Sequence, residues 1–492
     1  MQGIVKAVAD GDALREGTWG AELERFNPLR ANTMNEEIKK RLKDIVGSED
    51  FSDALIDRIA YSKDASEHKH RPDAAVWPLN VNQVSEILKL ANEHYFPIIA
   101  RGAGTSLAGL AVPQQGGLIL DMAKMDKIID INIEDRLTIV QPGVVYDDLD
   151  RALMPHDFFF PPDPASGAVC TIGGNVATNA GGIKGAKYGT TKDYVLALEV
   201  VLADGRVLHT GSKCMKSSSG YDLTRIFVGS EGTLGVVTEI TLKINPKPPL
   251  SATAMATFEN LEDAGRAVSQ IMHSGILPSA LEVVDHQSIM AIRENTNLNL
   301  PEAEVLLVAE TDGYTREETD YQMEKIVDVF QKNSASTVKK ADSKEEAEAL
   351  WQARKSVYGV FARINNNLSV EDLAVPISKV PDMLIAISVI AKKYDLKIPI
   401  FGHVGDGNLH PTICFDGTNQ NEVERVEEAT AELLQKVIEL GGTLTGEHGI
   451  GLAKIPFMGW EHDEVSMELM RSMKRVLDPN NILNPGKMGL EG

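Results

Sequence analysis

Apolar residues recur along this chain with two different periods. "VNQVSEILKLANEHY" (81–95) places Val84, Ile87, Leu88 and Leu90 on one side, the spacing of an amphipathic helix. "EEIKKRLKDIVG" (36–47) predicts a shorter helix that stops at Gly47. Between them and beyond, short apolar runs read as strands: "FPIIA" (96–100), "GLILDM" (117–122) and "LTIVQPG" (137–143), the last ending in a Pro-Gly turn. "LEVVLADGRVLHTG" (198–211) reads as a hairpin closed around Asp204-Gly205, and "LGVVTEITLKINPKPP" (234–249) as a strand halted by prolines.

Past that cluster, Pro246 to Pro249, the texture changes. Residues 252–285 and 304–340 each read strand, helix, strand, and 373–416 gives a third round. Helices on one face of an antiparallel sheet suit this pattern, an α+β layer. "NEVERVEEATAELLQKVIELGG" (421–442) is a long amphipathic helix closed by Gly441-Gly442, and it delivers the chain to "TLTGEHGIG" (443–451). The tail "VLDPNNILNPGKM" (476–488) is turn-rich but carries spaced Leu and Ile, so it is expected to dock on another element. The expected divisions are a loosely structured lead (1–36), a first domain (37–248), a second (249–460) and a returning C-terminal segment (461–492).

Composition narrows the function. At 492 residues, with 43% hydrophobic and 24% charged residues, the chain reads as a globular protein of two or three domains. A net charge of −22 argues against nucleic acid and against anionic membrane surfaces. It also means that a small anionic substrate needs local positive charge at its site. The cysteines, Cys170, Cys214 and Cys414, form no C-x-x-C pair, so the sequence offers neither a four-cysteine iron–sulfur site nor a disulfide framework. The start "MQGIVKAVADGDALREGTWG" lacks the pattern of a secretory signal, and no stretch approaches the ~20 apolar residues of a membrane span. A cytoplasmic protein with no direct membrane insertion is the expectation.

Two glycine-rich stretches dominate the first domain. In "RGAGTSLAGLAV" (101–112), Gly102, Gly104 and Gly109 allow a sharp turn that presents successive N–H groups, suited to phosphate oxygens. In "PPDPASGAVCTIGGNVATNAGGIKGAKYG" (161–189), Gly173-Gly174 and Gly181-Gly182 allow backbone to approach a flat ligand, with Asn175, Thr178, Asn179 and Tyr188 as hydrogen-bonding groups. The first stretch alone reads equally well as a surface loop, and it does not have the order of a Rossmann fingerprint. Together they suggest one large cofactor between two lobes.

The second domain carries "FGHVGDGNLH" (401–410) and "TLTGEHGIG" (443–451). Glycines at 402, 405 and 407 permit a tight bend that brings His403 and His410 inward. The second loop adds Glu447 and His448; two imidazoles and one carboxylate with open positions are a donor set for a divalent ion such as zinc, manganese or iron(II). The alternative is buried, hydrogen-bonded histidines without a metal.

"RGAGTSLAG", "PPDP", "IGGNVATNAGG", "GSEGTLGVVTEITLK" and "NPGK" together resemble the FAD-binding domain of the vanillyl-alcohol-oxidase/PCMH superfamily. From about residue 50 to the end the chain resembles its glycolate oxidase flavin subunit and D-lactate dehydrogenase branch. The resemblance implies a two-lobed PCMH-type FAD domain, a cap domain on a ferredoxin-like antiparallel sheet, and a C-terminal segment that returns to the FAD domain.

For the site, it implies that Arg101, Gly102, Ala103, Gly104, Thr105 and Ser106 hold the pyrophosphate of FAD. It implies that Pro162, Asp163, Gly173, Gly174, Asn175, Thr178, Asn179, Gly181, Gly182 and Tyr188 wrap the ribityl chain and ring, and that Glu231, Val237 and Asn484 add contacts. No histidine stands in the first loop, so the FAD is expected to be non-covalent. "GHVGDGNLH" and "GEHGIG" resemble the branch's metal and catalytic motifs, which implies His403, His410 and Glu447 as ligands and His448 as base. Arg354, in the helical "LWQARKSVYG" (350–359), is implied as the anchor of the substrate carboxylate, and Asp372 and Asp406 are expected to be structural or to support the site residues from behind.

The implied activity is oxidation of a small D-2-hydroxy acid, D-lactate or glycolate, by hydride transfer to flavin. Electrons would pass to an iron–sulfur subunit, an electron-transferring flavoprotein or quinone, and a homo-oligomer is left open. The alternatives are a D-2-hydroxyglutarate dehydrogenase, disfavoured because "SVEDLAVP" (369–376) has no lysine, and a non-redox flavoenzyme of the alkyl-dihydroxyacetone-phosphate-synthase type, whose histidine run is replaced here by Gly446-Glu447-His448.

Overall fold

The computed structural model describes residues 34–298 and 300–491; most of the expected N-terminal lead lies outside them. The helix Glu36–Val46 begins at an Asn35 cap and ends at Gly47, whose φ of 91° suits glycine. Its Ile38, Leu42 and Val46 pack with Val84, Ile87, Leu88 and Leu90 of the helix Val81–His94. That core lies against a four-stranded sheet in the order Phe51–Ser52, Ala74–Val76, Leu118–Asp121, Ile98–Arg101. The three longer strands run parallel and read as continuous apolar runs, as strands buried on both faces do.

The second lobe is a five-stranded antiparallel sheet, ordered Ile128–Asn132, Leu137–Val140, Val236–Lys243, Val195–Val201, Val207–Gly211. Asn245–Pro246 still pairs with Phe158–Phe159 of this half, whereas the next strand, Leu250–Phe258, belongs to a different sheet. The chain therefore crosses between the two halves at the proline cluster.

The second half is built on one large antiparallel sheet, ordered Thr337–Lys340, Leu250–Phe258, Val305–Gly313, Ala280–Asp285, Ile400–His403, Asn408–Phe415, Asn367–Val370, with Leu373–Ala374 also paired to Asn408–Phe415. Helices cover both faces of this sheet, not one as the sequence pattern predicts. Val283, Val305 and Leu307 face helices Leu261–His273, Arg316–Lys332 and Val380–Lys393, while Val284, Leu306 and Val308 face His286–Asn295 and Lys344–Ile364. Successive strand residues point to opposite faces, so the unbroken apolar run at 305–309 requires cover on both.

A helix that the apolar pattern left unassigned, Glu464–Leu477, leads back to the first half. There Leu483 bridges Ile98, Asn484 N–H donates to Ile98 O at 2.8 Å, and Ile482 and Leu483 join the first lobe's core. Lys474 fixes this return: its buried ammonium donates to Asp478 Oδ2 (2.6 Å) and to the carbonyls of Thr233 (2.9 Å) and Leu483 (2.7 Å).

Candidate active site

The "GHVGDGNLH" stretch is a hairpin. Ile400–His403 and Asn408–Phe415 pair antiparallel, with Phe401 opposite His410 and His403 opposite Asn408. Gly402 is required by close approach, since a Cβ there would lie 2.6 Å from Asn408 O. Gly407 turns the chain at a φ of 87°. Alternate residues of a strand share a face and directly paired residues point the same way, so Phe401, His403 and His410 all point to the side covered by helix Lys344–Ile364.

On the neighbouring strand Glu282, fully buried, accepts from His403 Nδ1 at 2.7 Å. Its other oxygen lies 2.7 Å from Arg354 Nε, an ion pair whose alignment makes no hydrogen bond. The Arg354 guanidinium stacks 5.0 Å from the Phe401 ring centre.

The "TGEHGIG" loop arrives opposite the hairpin. Asp372, also fully buried, holds it: Oδ2 accepts from Thr445 Oγ1 (2.5 Å), Glu447 N (2.8 Å) and His448 N (2.8 Å), and Oδ1 accepts from Asn408 Nδ2 (2.7 Å). Glu447 Oε1 then lies 3.4 Å from both His403 Nε2 and His410 Nε2. His448 stacks on His410, with ring centres 5.0 Å apart and planes 14° from parallel.

The charges are strongly coupled. Burial opposes ionisation of Glu447, but hydrogen bonds from His403 and His410 outweigh it and hold the carboxyl well below its ordinary range. Burial likewise disfavours the charged form of Asp372, yet His448, Lys454, His410 and the Thr445 hydroxyl keep it ionised. Burial would lower His403, but Glu282 and Glu447 raise it well above the usual imidazole value. For His448 burial wins over the pull of Asp372, and its pKa is lowered.

The donor set fits a divalent ion. Ligand atoms of His403, His410 and Glu447 all lie within 4.8 Å of one another, and His403 already hands its second nitrogen to a carboxylate, as metal-binding histidines do. His410 Nδ1, 3.7 Å from Asp372 Oδ1, and His448 Nδ1 are buried without a hydrogen-bond partner. Asp372→Asn replaces an acceptor of four hydrogen bonds by a group that is half donor. It is expected to weaken metal binding about 10- to 100-fold, read by competitive chelator titration, without loss of fold.

The first domain meets this cluster through its glycines. A Cβ at Gly181 would lie 2.7 Å from Glu447 Oε2, and Gly185 lies against the Asp406 carboxylate. The preceding segment includes a short helix, Ile172–Thr178, capped by Thr171, which accepts from Gly174 N at 3.2 Å. Gly102 packs on the same Thr171 side chain, which brings the two glycine-rich stretches together, and Gly173 packs on Pro142. Asn175 is buried with its Nδ2 donor unpartnered, and Thr105 and Ser106 remain partly open. Glycine-lined backbone and a spare amide donor suit a flat, polar-edged cofactor.

Other expected flavin residues are engaged with protein. Arg101 is nearly buried, donating to Lys63 O at 2.9 Å beneath the 101–106 loop. Tyr188 OH donates to Asp312 Oδ2 at 2.7 Å, and Lys355 reaches Asp163 at 3.4 Å, so both tie the two halves together. Asn179, at a φ of 54°, accepts from Thr190 Oγ1 (3.1 Å) and Lys192 N (2.9 Å), and Thr178 Oγ1 donates to Gly174 O at 3.3 Å. Val237 sits in the second sheet opposite Val200, Gly182 closes on the carbonyls of Pro162 and Asp163, Ala103 is exposed, and Gly104 turns the first loop at a φ of 70°. Asn484 donates to Glu231 O (2.7 Å) and Leu110 O (3.0 Å). Glu282 escaped the sequence reading, although a lone acid inside the apolar run "ALEVV" was its signal.

Comparison with known proteins agrees with this layout. Residues 72–211 match the family model "FAD binding domain" and residues 247–488 match "FAD linked oxidases, C-terminal domain". Glycolate oxidase subunit GlcD of Bacillus subtilis (strain 168) is 44% identical over 457 residues, covering 92% of this chain and 97% of the relative. The mitochondrial D-lactate dehydrogenase [cytochrome] of Arabidopsis thaliana is 35% identical over 421 residues, covering 85% and 73%. A crystal structure of p-cresol methylhydroxylase with substrate bound shares the fold at a TM-score of 0.76 and 22% identity, covering 92% of this chain and 96% of that one. With its FAD-binding domain, its C-terminal oxidase domain and these full-length likenesses, the chain belongs to the family of FAD-linked oxidases that includes glycolate oxidase subunit GlcD and D-lactate dehydrogenase.

Proposed function

We propose that this chain is an FAD-dependent dehydrogenase of a small D-2-hydroxy acid, glycolate or D-lactate, with a divalent metal held by His403, His410 and Glu447. The observation that carries the reading is the meeting of Glu447 with both hairpin histidines at 3.4 Å, directly against Gly181 of the flavin domain. The names of the relatives supply the substrate class.

When bound, FAD is the acceptor of two electrons and the ion is a Lewis acid that makes an alcohol easier to deprotonate. The chain's own residues do the rest. His448 takes the hydroxyl proton as the Cα hydrogen leaves with its electron pair, so the 2-hydroxy acid becomes a 2-oxo acid. Asp372 sets the backbone of Glu447 and His448 together, which fixes proton acceptor and ligand in one geometry. Arg354 lies beside the histidines with its Nε turned to Glu282, and the hydrogen bonds among the described residues leave its terminal nitrogens to a substrate carboxylate. The glycines at 181 and 185 let the flavin domain come this close.

Electrons leave to a partner. The three cysteines are free, two of them buried, and form no cluster site, while the Arabidopsis relative carries the word cytochrome in its name. Among the described residues no helix is long and apolar enough to cross a membrane.

Anaerobic mixing of the FAD-loaded protein with glycolate, D-lactate, L-lactate and D-2-hydroxyglutarate tests the reading. Flavin bleaching by glycolate or D-lactate, slowed by thorough chelation and restored by added zinc or manganese, is expected. Bleaching by none of the four acids would reject the dehydrogenase, and bleaching indifferent to chelation would reject the metal.

A further inference from the structure

Glu231 belongs to "GSEGTLG" in the flavin domain, yet its carboxylate reaches the loop that carries His448. Oε1 accepts from Ile450 N at 2.6 Å and Oε2 from Gly451 N at 2.9 Å. The residue is 4% exposed, and its own backbone is held in the left-handed region, at a φ of 54°, where a non-glycine residue is strained. That conformation is fixed by Glu231 N donating to Ala177 O at 2.9 Å and by Asn484 Nδ2 donating to Glu231 O at 2.7 Å.

The receiving loop is shaped to match. A Cβ on Gly449 would stand 2.7 Å from Glu231 Oε1, and a Cβ on Gly451 would stand 2.7 Å from Leu110 Cδ1. Leu452 N donates to Ala108 O at 2.8 Å, which presses the same loop onto the end of the first glycine-rich stretch. The other flank of His448 is held by Asp372, which belongs to the second domain. The loop is thus suspended between two buried carboxylates, one from each domain.

We propose that Glu231 is a positioning residue for the oxidation rather than a flavin contact: its two amide hydrogen bonds at 450 and 451 lock the His448 loop to the flavin domain and so set the base against the flavin cleft. This rests on His448 being the base, as proposed above. A carboxylate is suited to the task because it accepts from two N–H groups at once, whereas an amide of equal shape accepts one and opposes the other.

The test is Glu231→Gln, followed by two readouts on the FAD-loaded protein. Hydrogen exchange is expected to be slow at the amides of Ile450 and Gly451 in the wild type and at least about 10-fold faster in the variant, with Glu447 and His448 still protected by Asp372. Anaerobic reduction of the flavin by D-lactate or glycolate is expected to keep its substrate dissociation constant while its limiting rate falls at least about 10-fold.

Fast exchange at 450 and 451 in the wild type would overturn the clamp, and this outcome needs no variant. Loss of FAD from the variant with exchange unchanged would make Glu231 a flavin contact instead. An unchanged limiting rate would overturn the positioning role. A wild type reduced by no hydroxy acid would sink the dehydrogenase reading alone, because the exchange result still decides whether the clamp exists.

Discussion

His448→Ala is expected to give a protein that keeps its flavin and its metal but is reduced by substrate about 10²- to 10⁴-fold more slowly, the range supplied by a positioned general base. The geometry separates these properties. The His448 ring stacks on His410 and lies 3.8 Å from Glu447 Oε1 through Nε2, beyond the 3.4 Å at which both hairpin histidines approach that oxygen. It therefore stands beside the proposed ligands His403, His410 and Glu447. Its backbone N–H, not its ring, is what Asp372 holds, so truncation leaves the loop's hydrogen bonds intact. Rapid-mixing absorbance under argon reads the reduction rate, and flavin and metal content of the same sample are measured by absorbance and mass spectrometry. A normal reduction rate would remove His448 from the chemistry.

Glu447→Gln is expected to act in the opposite order. Among the described residues its carboxylate is approached by both His403 and His410, and those imidazoles hold it ionised against burial. An amide removes the negative charge that a divalent ion needs and leaves two imidazoles as the remaining donors. Metal content should fall by more than about 100-fold in affinity, beyond the effect of losing an outer partner, and substrate reduction should fall with it. FAD should remain, because Gly181 packs against the carboxylate edge and an amide of the same shape preserves that contact. Retention of stoichiometric metal after dialysis against chelator would place the ion elsewhere.

How far the sequence revealed this arrangement depends on the kind of signal. Helices such as Val81–His94 and Gln420–Glu439 were readable because one apolar stripe and a polar face repeat over several turns. The helix Glu464–Leu477 was not, because the pattern at Val465, Leu469 and Val476 points to solvent while a lysine, Lys474, is buried in its place. Helices on both faces of the large sheet were implied by "VLLVA" at 305–309, where alternation is absent, but that run is equally a sign of one buried strand.

In the site, His403, His410, Glu447 and His448 stood out as scarce residue types braced by glycine. Glu282 and the grip of Glu231 did not. Their partners are 121 and 219 residues away in sequence, and only folding brings them together. Arg354 illustrates the same limit from the other side: its helix was legible, its pairing with Glu282 was not.

Anomalous diffraction at the metal edge, from crystals of the FAD-loaded protein, tests the proposed metal site most directly. One strong peak is expected, bounded by His403 Nε2, His410 Nε2 and the Glu447 carboxylate, on the side that Gly181 of the flavin domain faces. A peak at another set of residues, or an ion-free cluster in crystals that still reduce their flavin with D-lactate or glycolate, would contradict it.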